Sequence, residues 1–342
     1  MSVDKPRVAF ALGDPAGISP EISAKLLGSA KVRNAAQLVV FGDRRVLKGG
    51  AALIGATLDI DIVLNPADAN GPARRPVFVD LKNLDPGGIR TGEASAVGGR
   101  SALENFRAAL QFAGKGNAEA VFFTPFNKKA MRLADPTYND EINFVRGVLG
   151  GAGPASEFNV LDGLWNARVT SHIPLSQVAA AISEEAILRG LALTDASMRN
   201  AGFDKPRIAV AALNPHAGDG GNFGREEIDI IEPAVRRAIE KGLAVDGPFP
   251  ADTVFLRAKN GQFDAVLTMY HDQGQIAMKM MGFDRGATLI GGFAFPICTP
   301  AHGTAYDIAG KGIANIGASE QAFLLAARMA QRRAASKQPA LS

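Results

Sequence analysis

Three of the four histidines, His172, His216 and His271, each stand after an apolar run that reads as a buried strand, and each keeps company with Gly, Asn, Asp or Thr. Three imidazoles can bind Zn²⁺ or a similar divalent ion and still leave a position for substrate. A single histidine is more often structural, and separations of 44 and 55 residues match no local zinc motif. The shared position at strand ends is what makes the three a set. Asp14, Asp252, Asp272, Lys128 and Lys279 are the other candidates, because a metal-bound hydroxyl needs a base and a carbanion needs an acid. Both lysines fall just beyond predicted strand ends, while Asp252 lies in the proline-bounded turn Gly247-Pro-Phe-Pro-Ala-Asp-Thr253, where the plain alternative is a helix cap. Cys298, the only cysteine, has no basic neighbour in sequence and reads as a packed core thiol.

The elements that must position these residues alternate strand and helix. Val8-Ala-Phe-Ala-Leu12, Gln37-Leu-Val-Val-Phe-Gly42 and Glu119-Ala-Val-Phe-Phe-Thr124 read as buried strands in the first half. Ala167-Arg-Val-Thr-Ser171, Arg207-Ile-Ala-Val-Ala-Ala-Leu213 and Asp264-Ala-Val-Leu-Thr-Met269 read so in the second, each running into one of the three histidines. A helix is expected after Ser19, with Ser19 as cap and Pro20 at its first position; others are expected over 98–116, from Ser183, over 225–241 and over 318–335. Pro233 should kink or split the one over 225–241. The stretch 50–95 is loop-rich, with an edge strand at Val77-Phe-Val-Asp80. The pattern is that of a parallel sheet with crossover helices, whose chemistry belongs at the carboxyl ends of the strands.

A length of 342 residues suggests about two domains. With 47% apolar and 21% charged residues, a net charge of +3 and no Lys/Arg cluster interleaved with aromatics, nucleic acid is not an expected partner. The amino terminus shows no signal pattern and no apolar run reaches a membrane span, so the expected location is cytoplasmic, with no membrane partner. No G-x-G-x-x-G follows the first strand, so a nicotinamide cofactor is not derivable from the residues alone. Gly220-Gly221, close to Asn214 and His216, and Gly291-Gly292 could let a phosphate or adenine approach the backbone, although most glycine pairs are turns.

Gly13-Asp-Pro-Ala-Gly-Ile-Ser-Pro-Glu21, Leu213-Asn-Pro-His-Ala-Gly-Asp-Gly-Gly221, the turn ending at Thr253, Tyr270-His-Asp-Gln-Gly274 and His302-Gly-Thr-Ala305, in this order, resemble the 4-hydroxythreonine-4-phosphate dehydrogenase family of pyridoxine biosynthesis. The resemblance implies the two-domain α/β/α fold of the isocitrate and isopropylmalate dehydrogenase type with a cleft between the domains. It also implies a homodimer with the active site at the subunit interface, NAD or NADP, and a divalent metal (Zn, Mg, Mn or Co). The metal histidines fall on His172, His216 and His271. The expected domains are 1–130 with 303–342, and 131–302, the latter carrying the metal histidines and the dimer interface. Asn214, Gly220 and Gly221 are the expected cofactor contacts; Lys279, Lys128, Asp252 and Asp272 are the expected catalytic residues.

The family's substrate motif Gly-His-Thr-Glu-Phe aligns with Asp140-Glu-Ile-Asn-Phe144, and two further contacts, an Asn and an Arg, align with Thr288 and Ile297. Only Lys279 is kept, so Asp140, Glu141, Lys279, Thr288 and Ile297 are the expected substrate positions. Losing an arginine and gaining Asp140 and Glu141 disfavours a phosphate dianion. Asp272-Gln-Gly-Gln-Ile276, Ile290-Gly-Gly292 and Ala305-Tyr-Asp-Ile-Ala-Gly310 are similar to a smaller branch, the dehydrogenases of aromatic dicarboxylate dihydrodiols such as that of terephthalate. Phe293, Phe295 and Ile297 would suit a carbocyclic ring. The expected activity is therefore a metal-dependent NAD(P) dehydrogenase that oxidises and decarboxylates a carboxylated cis-dihydrodiol. The alternatives are a 4-hydroxythreonine-4-phosphate dehydrogenase, or a related phosphorylated hydroxy-acid dehydrogenase, and a metal-dependent hydrolase.

Overall fold

A computed structural model describes residues 5–337, in two compact units: 1–153 with 293–342, and 154–292. The first unit opens with β1 (Arg7–Ala11), α1 (Ser19–Gly28), α2 (Ala30–Ala35), β2 (Gln37–Gly42), α3 (Arg44–Leu53), β3 (Asp61–Val63) and β4 (Val77–Asp80). It continues through α4 (Ala96–Gly114), β5 (Ala120–Phe123), α5 (Lys128–Ala134) and α6 (Glu141–Leu149). Continuous apolar runs make β1, β2, β4 and β5 buried strands, as sheets covered on both faces require. Ser19 does not cap α1: Ile18 takes that place and the buried Ser19 hydroxyl donates to Pro125 O at 2.9 Å, tying the helix start to the loop after β5.

The second unit holds β6 (Ser156–Leu161), β7 (Leu164–Arg168), α7 (Val178–Ala181), α8 (Glu184–Ala201), β8 (Ile208–Ala211), α9 (Glu232–Glu240), β9 (Val245–Phe249), α10 (Ala251–Lys259), β10 (Ala265–Thr268), α11 (His271–Gly282) and β11 (Ala287–Gly291). Ser183 caps α8 by accepting from Ala186 N, and Gly202 closes it at φ 112°, a conformation that favours glycine. The strands run in the order β11–β6–β7–β10–β8–β9. β7, β10, β8 and β9 are mutually parallel, whereas β11 and β6 join antiparallel. Pro233 acts as expected: the segment splits into a π-helical turn over Glu227–Ile231 and α9, with the proline in the first turn of α9.

The chain then returns to the first unit as β12 (Ile297–Pro300) and α12 (Gly317–Lys337). β12 pairs in parallel with β5, completing the order β3–β4–β2–β1–β5–β12, in which neighbouring strands are parallel. The unit boundaries thus fall at 153/154 and 292/293 rather than at 130/131 and 302/303. The reason is packing: α6 lies on α4, with Phe144 stacked on Phe106 at 5.5 Å, and β12 bonds to β5, so both segments belong to the first core. The stretch from Thr288 to Ile297 is not one strand, because residues 292–296 separate β11 from β12. No helix among the described residues is long and apolar enough to cross a membrane.

Candidate active site

Because β7, β10, β8 and β9 are parallel neighbours, their carboxyl ends form one edge. The chain leaves that edge towards His172 after β7, His271 after β10, His216 after β8 and Asp252 after β9. Side chains stitch the edge together. Thr170 Oγ1 donates to Met269 O at 2.7 Å, joining the chain before His172 to the chain before His271. Gln273 accepts from Met269 N at 2.7 Å and donates to Ala212 O at 2.7 Å, joining the ends of β10 and β8. At Gly274 a Cβ would stand 2.2 Å from Asn166 Oδ1, so α11 sits on β7 only because the residue is glycine.

The His172 and His271 rings lie 5.4 Å apart, centroid to centroid. His271 Nδ1 meets Asp272 Oδ1 at 2.6 Å. A carboxylate there favours the tautomer with the proton on Nδ1, in which Nε2 is the nitrogen that can serve as a metal ligand. Two imidazoles suit Zn²⁺, Co²⁺ or a similar ion in kind, and among the described residues no group of three His, Cys, Asp or Glu side chains converges. His216 stands on the same edge in a run of left-handed backbone. His216, Ala217 and Asp219 have φ of 52°, 54° and 45°, interleaved with Gly218, Gly220 and Gly221. Each non-glycine residue held there costs on the order of 1–2 kcal/mol, so neighbouring groups must hold the loop.

The remaining candidates differ in exposure. Asp252 is exposed in the first turn of α10 and does not cap it, since Pro250 takes that place. Lys279 is exposed in α11 rather than at a strand end, eight residues and about 12 Å along the axis from His271. Between them Gln275 donates to Asn159 Oδ1 at 2.9 Å, which also accepts from Arg168 Nη1 at 3.1 Å, while Arg168 Nη2 donates to Glu157 at 2.9 Å. Burial pulls the Arg168 guanidinium below its ordinary value, against the effect of Glu157. Thr288, half-buried, is the cross-strand partner of Asn159 and so shares its face. Gln273, Gln275, Asn159 and Arg168 were not among the expected site residues; the signals available in the sequence were an arginine within an apolar run and the two glutamines of Asp272-Gln-Gly-Gln-Ile276.

Several expected contacts are already engaged within the fold. The Asn214 amide donates to Glu226 Oε2 and Glu227 Oε2 at 2.7 and 2.9 Å, so its nitrogen is engaged within the fold. Gly220 and Gly221 are half-buried to exposed and have open space or ordinary contacts where a Cβ would be. In the first unit, Asp140 caps α6 by accepting from Asn143 N at 2.7 Å, and Glu141 pairs with Lys128 at 3.2 Å. Glu141 is thus paired with a cation and Asp140 serves its helix, which weakens the part of the electrostatic case against a phosphate that rested on these two acids. Ile297 is fully buried in β12 and Phe295 is 5% exposed, so they are core rather than a ring-binding wall. Cys298 is fully buried, and burial drives its thiol far above the ordinary value, as a packed thiol requires.

Asp14, at the end of β1, accepts from Ala16 N at 2.9 Å and from the Tyr306 hydroxyl. Burial raises its carboxyl above the usual range although both bonds pull it down, and Tyr306 is raised as well, by burial first and the carboxylate second. Asp14 is thus a closed internal contact, joining the loop after β1 to the loop of Tyr306.

Comparison with known proteins identifies the family. The family described as pyridoxal phosphate biosynthetic protein PdxA matches residues 34–326. A putative 4-hydroxythreonine-4-phosphate dehydrogenase 2 of Rhizobium meliloti is 60% identical over 97% of this chain and 95% of its own. The crystal structure of 4-hydroxythreonine-4-phosphate dehydrogenase from Klebsiella pneumoniae superposes with a TM-score of 0.82 at 35% identity, covering 95% of this chain and 99% of that one. The terephthalate 1,2-cis-dihydrodiol dehydrogenase of Burkholderia xenovorans is more distant, with a TM-score of 0.65 at 29% identity over 94% and 98% of the two chains. With its relatives dehydrogenases and its α/β fold that of their solved structures, the chain belongs to the PdxA family.

Proposed function

We propose that the chain is an NAD(P)-dependent, divalent-metal-dependent dehydrogenase of a phosphorylated hydroxy acid, of the 4-hydroxythreonine-4-phosphate type. The observation that carries this reading is the His172–His271 ring pair, on a sheet edge whose next strand leads into His216, in a chain so similar to a putative dehydrogenase of that class. Oxidation takes a hydride from the hydroxyl-bearing carbon to the nicotinamide and releases the hydroxyl proton; where a carboxylate lies β to the new ketone, CO₂ can follow. A divalent ion would polarise the hydroxyl and carbonyl oxygens. His172, His271 and His216 would hold it, with Asp272 keeping the His271 tautomer. Lys279, exposed on the helix that His271 begins, would bind an anionic end of the substrate or move the proton, with Thr288 contributing from β11 and Asp252 orienting the cluster.

A homodimer fits this reading. Ile276 and Met280, 64% and 84% exposed one turn apart on α11, form an apolar stripe beside the site that a second copy would cover. The dihydrodiol reading is the less supported, since the acids and apolar residues that favoured it are engaged within the first unit.

The test is reduced-nicotinamide absorbance with 4-phosphohydroxythreonine, phosphorylated sugar acids and a terephthalate dihydrodiol, before and after chelation. The expected result is turnover of a phosphorylated acid, lost on chelation and restored by Zn²⁺, Co²⁺ or Mg²⁺. Turnover of the dihydrodiol alone would overturn the substrate class. No absorbance change with any substrate, together with metal-dependent hydrolysis, would make the protein a hydrolase.

A further inference from the structure

We infer that Glu227 is the positioning residue of His216: one buried carboxylate templates the left-handed loop that carries the imidazole. The inference rests on the proposed function, in which His216 serves the metal site, and it begins from the local sequence. Pro233 has no N–H, and its ring would collide with the carbonyl of Asp229 in a regular helix. The π-helical turn over Glu227–Ile231 widens the backbone just ahead of it.

With the turn so placed, the adjacent Glu226 and Glu227 both reach Asn214. The Asn214 amide donates to Glu226 Oε2 at 2.7 Å and to Glu227 Oε2 at 2.9 Å. Glu227 Oε1 accepts from Leu213 N and from Asn214 N, each at 2.8 Å. Its Oε2 stands 2.8 Å from where a Cβ on Gly218 would lie. One carboxylate, on a residue 1% exposed, therefore touches the loop before His216 and after it. Backbone N–H groups at a strand end need acceptors, and the left-handed run disfavours L-residues at His216, Ala217 and Asp219. Glu227 meets both requirements at once. Glu227→Gln keeps the volume but replaces one acceptor oxygen by an N–H donor among donors.

The experiment compares wild type with Glu227→Gln, Asn214→Ala and His216→Ala. It reads Zn²⁺ affinity by isothermal titration, hydrogen exchange across 213–223, kcat and KM, and Tm. Glu227→Gln should weaken Zn²⁺ binding and lower kcat by about 10- to 100-fold, the range for a group that orients a metal ligand. KM should hold within about twofold, and exchange should quicken across 213–223. Asn214→Ala should move the same quantities in the same direction by less. A lower Tm with unchanged Zn²⁺ affinity and kcat in Glu227→Gln would overturn the inference by reducing Glu227 to a structural anchor. Should that variant not fold, unchanged affinity in Asn214→Ala has the same force. Wild-type Zn²⁺ affinity and turnover in His216→Ala would instead overturn the role of His216 in the proposed function.

Discussion

At the carboxyl edge of the first unit's sheet the polar groups face one another: Asp14 holds Tyr306, Ser19 holds Pro125 O, and Thr124 Oγ1 accepts from Gly13 N at 2.8 Å. At the corresponding edge of the second unit, His172 and His216 are exposed, and polar side chains such as Thr170 and Gln273 bind backbone instead of covering the imidazoles. Both edges obey the rule that parallel sheets put their polar loops at strand ends. The difference shows that the rule selects a place, whereas spare hydrogen-bonding capacity selects a site. A residue whose donors and acceptors are met inside the fold has little left for a ligand.

Substitutions on the two edges should therefore fail in different ways. The largest expected effect is on the second edge: His271→Ala should lower kcat by more than about 100-fold, beyond the loss usual for a group one step removed from a metal, with Tm little changed. A variant near wild-type activity would break the contrast. In the first unit the largest loss should be of stability. Ile297→Ala should cost about 2–5 kcal/mol in denaturant unfolding and leave KM unchanged in the folded fraction; a changed KM with unchanged stability would return Ile297 to the substrate site. Tyr306→Phe should cost about 1–3 kcal/mol by leaving buried Asp14 short of a donor, read as a lower midpoint at pH 7.

A smaller effect comes from His302, whose imidazole is held below its ordinary value by burial, with Gly303 O pulling the other way. The fold favours the neutral ring, so this stability is complete above the unfolded value of 6.5 and is lost as pH falls from there towards the folded value. Tm should decline from pH 7.5 to pH 5, and His302→Asn should flatten the decline; an unaltered slope would show that other groups cause it. The smallest effect is expected at Glu141→Gln, because Lys128 is 43% exposed and solvent screens the pair: about 1 kcal/mol or less.

Much of this was legible in the residues. The strands after which the histidines fall were visible as apolar runs, with β7 three residues earlier than expected because Val169 and Thr170 continue the hydrogen bonding to β10 without being part of the strand. Pro233 announced a break in its helix, and the break proved to be a π turn. The hairpin of β6 and β7, and the separation of β11 from β12, were not legible, since short strands with mixed composition carry little period-2 signal. The loop-rich 50–95 stretch yielded its strand at Val77–Asp80, but not as an edge, because the half-exposed β3, hidden in the sequence, pairs outside it.

Residue type and position along the chain determined by themselves the alternation of strand and helix, the histidines that share an edge, and the family. Tertiary structure alone decided which candidates keep free chemistry. Asn214 is claimed by carboxylates 12 and 13 residues on, Glu141 by Lys128, and Ile297 by the core beside β5. Hydrogen-bonding capacity is finite and is consumed by whatever neighbour folding brings near, so composition and spacing can nominate a polar residue for a site but only packing shows whether it remains available.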